Sequence, residues 1–214
     1  MGFGFTVLFH LIILFILSLI IAVISAIVTF IAGRKKRKAF LAFCLPFIFV
    51  PVLYFSALIG SIIVSEVKDV DTGIGDAWYA PVNGSCKVGM IDTTDTGYIA
   101  CSGNVSISGI TALQQYSDTV IAGKAADHFF VLNLNNNEVS YYLSEQELTE
   151  NTGIDGHDFL EIAAFEAVKY RQAAGTPMLM VGIVSLALSI LISCIFGKIF
   201  FFVIKWRDLF GNRK

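Results

Sequence analysis

The chain has 214 residues, of which 56% are hydrophobic and 15% charged, with a formal net charge of −2 and a mean hydropathy of +0.73. Ordinary soluble domains carry roughly 45–50% apolar and about 25% charged residues, so composition excludes that class and points to a membrane protein. The small total charge hides a strong asymmetry: sixteen of the seventeen acids lie between Glu66 and Glu166, against five bases between 66 and 176, a local net of −11.

The first apolar run, 3–32, has no charged residue, and His10 is its one titratable group. At ~1.5 Å per residue it reaches roughly 45 Å against a hydrocarbon core of roughly 30 Å, which predicts a tilted or protruding helix. Residues 1–33 are read as a retained transmembrane helix and not as a cleaved signal peptide, because no positive residue precedes the run and its apolar core far exceeds the usual length of about 7–15 residues. A basic block follows at once: Arg34, Lys35, Lys36, Arg37 and Lys38. The second span, 39–65, contains Pro46 and Pro51, each of which removes a backbone donor and predicts a kink. The third run, 177–197, opens with Thr176 as the expected N-cap and proline at the first helical position. It is assigned to a helix over 176–204, with a basic tail over 205–214.

Short basic segments beside spans lie on the cytoplasmic side. The 34–38 loop and the tail are both basic and, with three spans, fall on one side. The expected topology is therefore N-terminus out and C-terminus in, with residues 66–175 extracytoplasmic, in a plasma membrane and by preference a bacterial inner membrane. The block between two spans has no room to dock nucleic acid. Its five residues are expected to lock topology and to hold anionic lipid headgroups, at roughly 1 kcal/mol each. No Asp, Glu or Arg lies within a span, which argues against an ion pathway or a transporter site. Ser185, Ser189, Ser193 and Gly197 recur four apart and predict a close-packing helix face, toward the other spans or toward an intramembrane protein partner.

Between the second and third spans the expectation is a small antiparallel β-rich domain over 66–156, followed by a juxtamembrane amphipathic helix over 157–175. The fold class is thus membrane α plus an inserted α+β domain. Strands are read at 76–82, 86–92, 98–102, 115–123 and 128–134, bounded by Gly, Asn and Asp clusters. HFFVLNLNNNEVSYYL alternates on both arms of an Asn-rich turn, a hairpin signal. Ser144 and Glu147 have capping-box spacing and predict a helix to about Glu150, and Asp158 with Glu161 repeats the pattern before DFLEIAAFEAVKYRQAA.

Cys86 and Cys101 lie in the expected extracytoplasmic, oxidising region. The midpoint between them falls between Thr93 and Thr94 in the turn-like DTTDTG, so a hairpin there sets them opposite each other and predicts a disulfide. Cys44 and Cys194 lie within spans and read as small apolar filler. No GxSxG, HExxH, Walker or CxxC motif is present. His157 and Glu161 are spaced i, i+4, but two residues are half a metal site, and Asp158 is the expected cap. Residues 69–78 begin like a calcium loop through Asp69 and Asp71 and then lack its later ligands. Gly73 and Gly75 read as a flexible exit from the membrane. No catalytic residue, metal or cofactor is expected.

The functional expectation is a non-enzymatic membrane protein whose acidic outer domain binds a protein partner, by preference a basic one. Its concrete form is a bacterial immunity-type protein that neutralises a toxin acting in the periplasm or membrane. The alternatives are an accessory subunit of a membrane complex, or a sensor that signals through a cytoplasmic partner because the tail is too short for an output domain.

Overall fold

The computed structural model describes residues 3–32, 36–71, 77–83, 85–102 and 106–211. The chain forms two compact units: residues 1–61 with 178–214, and residues 62–177. Three helical stretches are long and apolar enough to cross a membrane, and an eight-strand antiparallel sheet lies between the second and the third.

The first unit is helical. It contains α1 (Phe3–Ile31), α2 (Lys36–Cys44), most of α3 (Pro46–Lys68) and the later part of α5 (Ile162–Gly211). Pro46 does more than kink the second span. The helix breaks at Leu45 and Pro46 opens α3, where a missing N–H orphans nothing. Pro51 lies inside α3. Tyr54 Oη and His10 Nδ1 hydrogen bond at 3.0 Å between α3 and α1. The rings of Phe15 and Phe47 lie 5.9 Å apart, as do those of Phe40 and Phe200. Gly60 is pressed against α5 so closely that a Cβ there would meet Val181 Cγ1 at 2.6 Å.

The expected boundary at Thr176 is absent. α5 runs unbroken for 50 residues with Pro177 inside it, so Thr176 caps nothing. Proline removes one donor and crowds the carbonyl four residues back, but the good helix formers before it and the apolar run after it carry the helix through.

The second unit is built on the sheet. Its strands are β1 (Ala77–Asn83), β2 (Cys86–Ile91), β3 (Gly97–Cys101), β4 (Ser106–Ser117), β5 (Val120–Ala125), β6 (Phe129–Asn133) and β7 (Glu138–Tyr142), in sequential antiparallel order. A short β8 (Leu160–Glu161) pairs with β4 through Leu113↔Leu160 and Ala112↔Glu161. The 115–123 reading is corrected: that stretch spans the end of β4, a turn and the start of β5. The twelve-residue β4 escaped the sequence pattern because bulges break its alternation. Gly109 is left-handed (φ +69°), the register slips at Gly97/Tyr98 and again at Ile110/Ala112, and the buried residues Ile107, Ile110 and Leu113 recur every three positions instead of two.

The sheet buries apolar side chains on both faces. One face gathers Val88, Met90, Ile99, Ile110, Leu113, Phe130 and Leu132 around Ile162 and Phe165 of α5. The other packs Ala122, Phe129 and Val131 against Leu148 of α4 (Glu145–Thr152) and Ile154. Five steps of about 4.8 Å would separate β1 from β6 in a flat sheet. Yet Asn83 Nδ2 reaches the Leu134 carbonyl at 3.4 Å, and Asn137 Nδ2 donates to the Ser102 carbonyl at 2.8 Å. The sheet therefore curls, and the Asn-rich turn ties its later strands back to its first three.

Ser144 caps α4 as expected, its Oγ accepting from the Glu147 N–H, while the Glu147 carboxylate takes the Leu143 N–H. The second capping box does not form. Asp155 caps a single 3-10 turn (Gly156–Asp158), Glu161 lies in β8, and α5 begins at Ile162. Pairing with β4 takes the backbone that a helix over 158–161 would have needed.

Candidate functional site

The first turns of α5 dock on the sheet through a helical stripe. Ile162 and Phe165 are buried in the core, and Tyr170 packs against it. Residues three and four apart share a helix face, so Glu166 falls on that same stripe and is only 9% exposed. An acid at a core position is the anomaly from which the site is built.

Facing it are β1 and the connection that precedes it. Val70 is fully buried, and its carbonyl accepts from Ser65 Oγ. The Asp71 N–H donates to the Tyr79 carbonyl at 2.9 Å, which fixes Asp71 beside β1, and Lys87 Nζ pairs with Asp69 at 2.6 Å. The result is a cleft of about 670 Å³ lined by Asp71, Trp78, Glu166, Ala167, Tyr170, Arg171 and Gly175, all within the sheet unit and before the apolar stretch that begins at Pro177.

The electrostatics of the cleft are unbalanced. Among the described residues Glu166 makes no hydrogen bond or ion pair. Burial pushes its carboxyl above the usual carboxylate range, and the charge of Asp71 pushes it further the same way. Burial likewise raises the Tyr170 hydroxyl, with Glu166 and Asp71 adding to the effect. Arg171 is exposed at the mouth, its stem lying over Gly175, where a Cβ would sit 3.2 Å from Arg171 Cγ. It does not lower the Glu166 carboxyl, whose two influences both raise it.

A desolvated carboxylate beside a second carboxylate, walled by Trp78 and Tyr170, is the chemistry that receives a cation. Aromatic faces can attract a cation, and the Glu166 carboxylate can accept its charge-assisted hydrogen bonds. Arg171 carries a guanidinium at the rim whose N–H groups suit a carbonyl or carboxylate. A second, smaller depression of about 420 Å³ is lined by residues of β4 and α5 that include Gln115, Tyr116, Phe165 and Lys169. There Lys169 donates to Gln115 Oε1 and lies over the Phe165 ring, 5.4 Å from its centre. Burial lowers its ammonium pKa and Asp118 acts in the opposite sense. Its donor and ring contacts are already made within the unit.

The sequence-predicted residues fall as follows. Cys86 and Cys101 stand directly opposite across β2 and β3 and form a disulfide, with Cα atoms 4.0 Å apart. Arg34 and Lys35 lie outside the described residues, while Lys36, Arg37 and Lys38 open α2. Ser185 and Ser189 are buried within the helical unit, Ser193 is half-buried with its Oγ enclosed, and a Cβ added at Gly197 would meet nothing. His157 and Glu161 do not share a helix, since one lies in the 3-10 turn and the other in β8. Gly73 and Gly75 are outside the described residues. Asn83, at the end of β1, accepts through its Oδ1 from the N–H groups of Ser85 and Cys86.

Of the cleft residues only Asp71 was singled out from the sequence, as part of an incomplete calcium-loop pattern and not of a cleft. The signal was present in IAAFEAVKY, where an acid occupies a position that the helical period assigns to the buried stripe. Comparison with protein-family models, curated proteins and solved structures returns no match.

Proposed function

We propose that the chain is a non-enzymatic, membrane-anchored binding protein whose sheet unit, on the extracytoplasmic side, captures a basic protein partner by taking one of its Lys or Arg side chains into the cleft. The observation that carries this reading is Glu166: nine-tenths buried, without a hydrogen-bonding partner and lining an open cleft with Asp71. An unpaired buried charge costs stability and is left so where a ligand completes it. The −11 balance of the 66–176 region supports the same polarity of partner, by steering it from a distance. The concrete form we favour is an immunity-type protein that neutralises a toxin at the inner membrane.

A photo-crosslinking residue at Ala167, which lines the cleft and is exposed, tests this in native membranes. A basic protein should be captured, and Glu166→Gln should abolish capture, because truncating one side of a buried charge pair costs about 2–5 kcal/mol. Glu166→Asp should restore part of it. An acidic partner, or capture that Glu166→Gln leaves unchanged, overturns the proposal. The immunity form further requires that cells lacking the protein be harmed only when the captured toxin is present.

A further inference from the structure

A second set of polar side chains meets where α4 turns back on itself. Gly153, left-handed at φ +72°, ends α4 with its N–H on the Thr149 carbonyl. Thr149 Oγ1 donates to the Ile154 carbonyl at 2.9 Å, and Leu148 and Ile154 are buried on the sheet. This reversal brings Asp155 and His157 back over Glu145 in the first turn of α4. Glu145, Asp155 and His157 each place one potential ligand atom within 4.8 Å of the others.

The arrangement is fixed by its backbone. Asp155 Oδ1 accepts from the His157 N–H at 3.0 Å, and the Asp155 carbonyl accepts from the Tyr116 hydroxyl at 2.9 Å. Gly156 lets the Glu145 carboxylate approach, since a Cβ there would lie 2.7 Å from Glu145 Oε1. His157 Nδ1 is 3.9 Å from that oxygen. Among the described residues no Lys or Arg pairs with Glu145 or Asp155. Two carboxylates and an imidazole thus converge from three points of the chain with no cation of the protein between them.

We infer that Glu145, Asp155 and His157 form a binding site for a first-row divalent transition metal, of which Zn²⁺ is the type. Two carboxylate oxygens and one imidazole nitrogen suit Zn²⁺ and its neighbours, whereas Ca²⁺ and Mg²⁺ take oxygen ligands and, for Ca²⁺, six to eight of them. Three protein ligands on an exposed turn leave a coordination position for water or for a group of another molecule. The site uses none of the cleft residues.

The test is titration of the full-length, detergent-solubilised and chelator-treated protein with Zn²⁺ by calorimetry, and with Co²⁺ by visible absorption. One saturable equivalent is expected, unaffected by excess Mg²⁺, with Co²⁺ d–d bands that Zn²⁺ displaces. His157→Ala and Glu145→Gln should each weaken binding by about tenfold or more, and His128→Ala should leave it unchanged. His157 is an exposed residue, so its variant should keep the metal-free melting temperature of the parent. Absence of saturable binding, or binding that both variants retain at the parent's affinity, overturns the inference.

Discussion

The helical unit and the sheet unit treat buried polar atoms in opposite ways. In the helices the polar groups are hydroxyls that mostly turn back on their own backbone: Thr29 donates to the Ser25 carbonyl, Ser56 to Val52 and Ser189 to Ser185. The enclosed hydroxyls of Ser18 and Ser193 are small and uncharged. In the sheet unit the buried polar group is a carboxylate, Glu166, with a second carboxylate nearby and, among the described residues, no ion-pair partner. The helical unit thus encloses only small, uncharged hydroxyls among its buried polar groups. The sheet unit keeps a buried acid beside an open cleft, and on that difference the proposed binding role rests.

Breaking the packing of each unit should separate them experimentally. The largest effect is expected from Phe130→Ala, which empties a fully buried position of the sheet core and should cost about 3–5 kcal/mol. Its melting transition, followed by near-ultraviolet circular dichroism, should fall while the far-ultraviolet signal of the helical unit persists. Next is the Cys86→Ser, Cys101→Ser double variant. The bridge closes a loop of sequence separation 15, and its loss should cost about 3 kcal/mol in the chain-entropy model, again in the sheet unit. The helical unit is addressed by Gly60→Val, which forces side-chain atoms into the space held by Val181 and should cost about 1–3 kcal/mol in detergent unfolding. A loss of sheet stability as large as that of the helices would show that the two units do not unfold separately.

Much of the fold is legible in the sequence because its causes are local. Uninterrupted apolarity marks the three helical stretches long enough to cross a membrane, the Asn-rich turn marks the β6–β7 hairpin, and the symmetry of Cys86 and Cys101 about DTTDTG matches their register. β4 was not legible, because its bulges turn a period of two into a period of three. The start of α5 was misplaced because β8 is a tertiary pairing that no neighbouring residue announces. The cleft needed three segments brought together from Asp71, Trp78 and Glu166. The acid on the α5 stripe carried a signal in the helical period, but it was not singled out from the sequence.

The smallest expected effect bears most directly on the central claim, that Glu166 is held buried with no ion-pair partner among the described residues. A carboxyl whose folded range lies above its unfolded value favours the folded state most below the unfolded range, and that contribution is lost as pH rises through the folded range. The measurement is the thermal stability of the parent and of Glu166→Gln across pH. The variant should be the more stable above the raised carboxyl range, with the two curves converging as the solution is acidified. A variant less stable than the parent at neutral pH would mean that Glu166 is a paired structural acid, and would contradict the account.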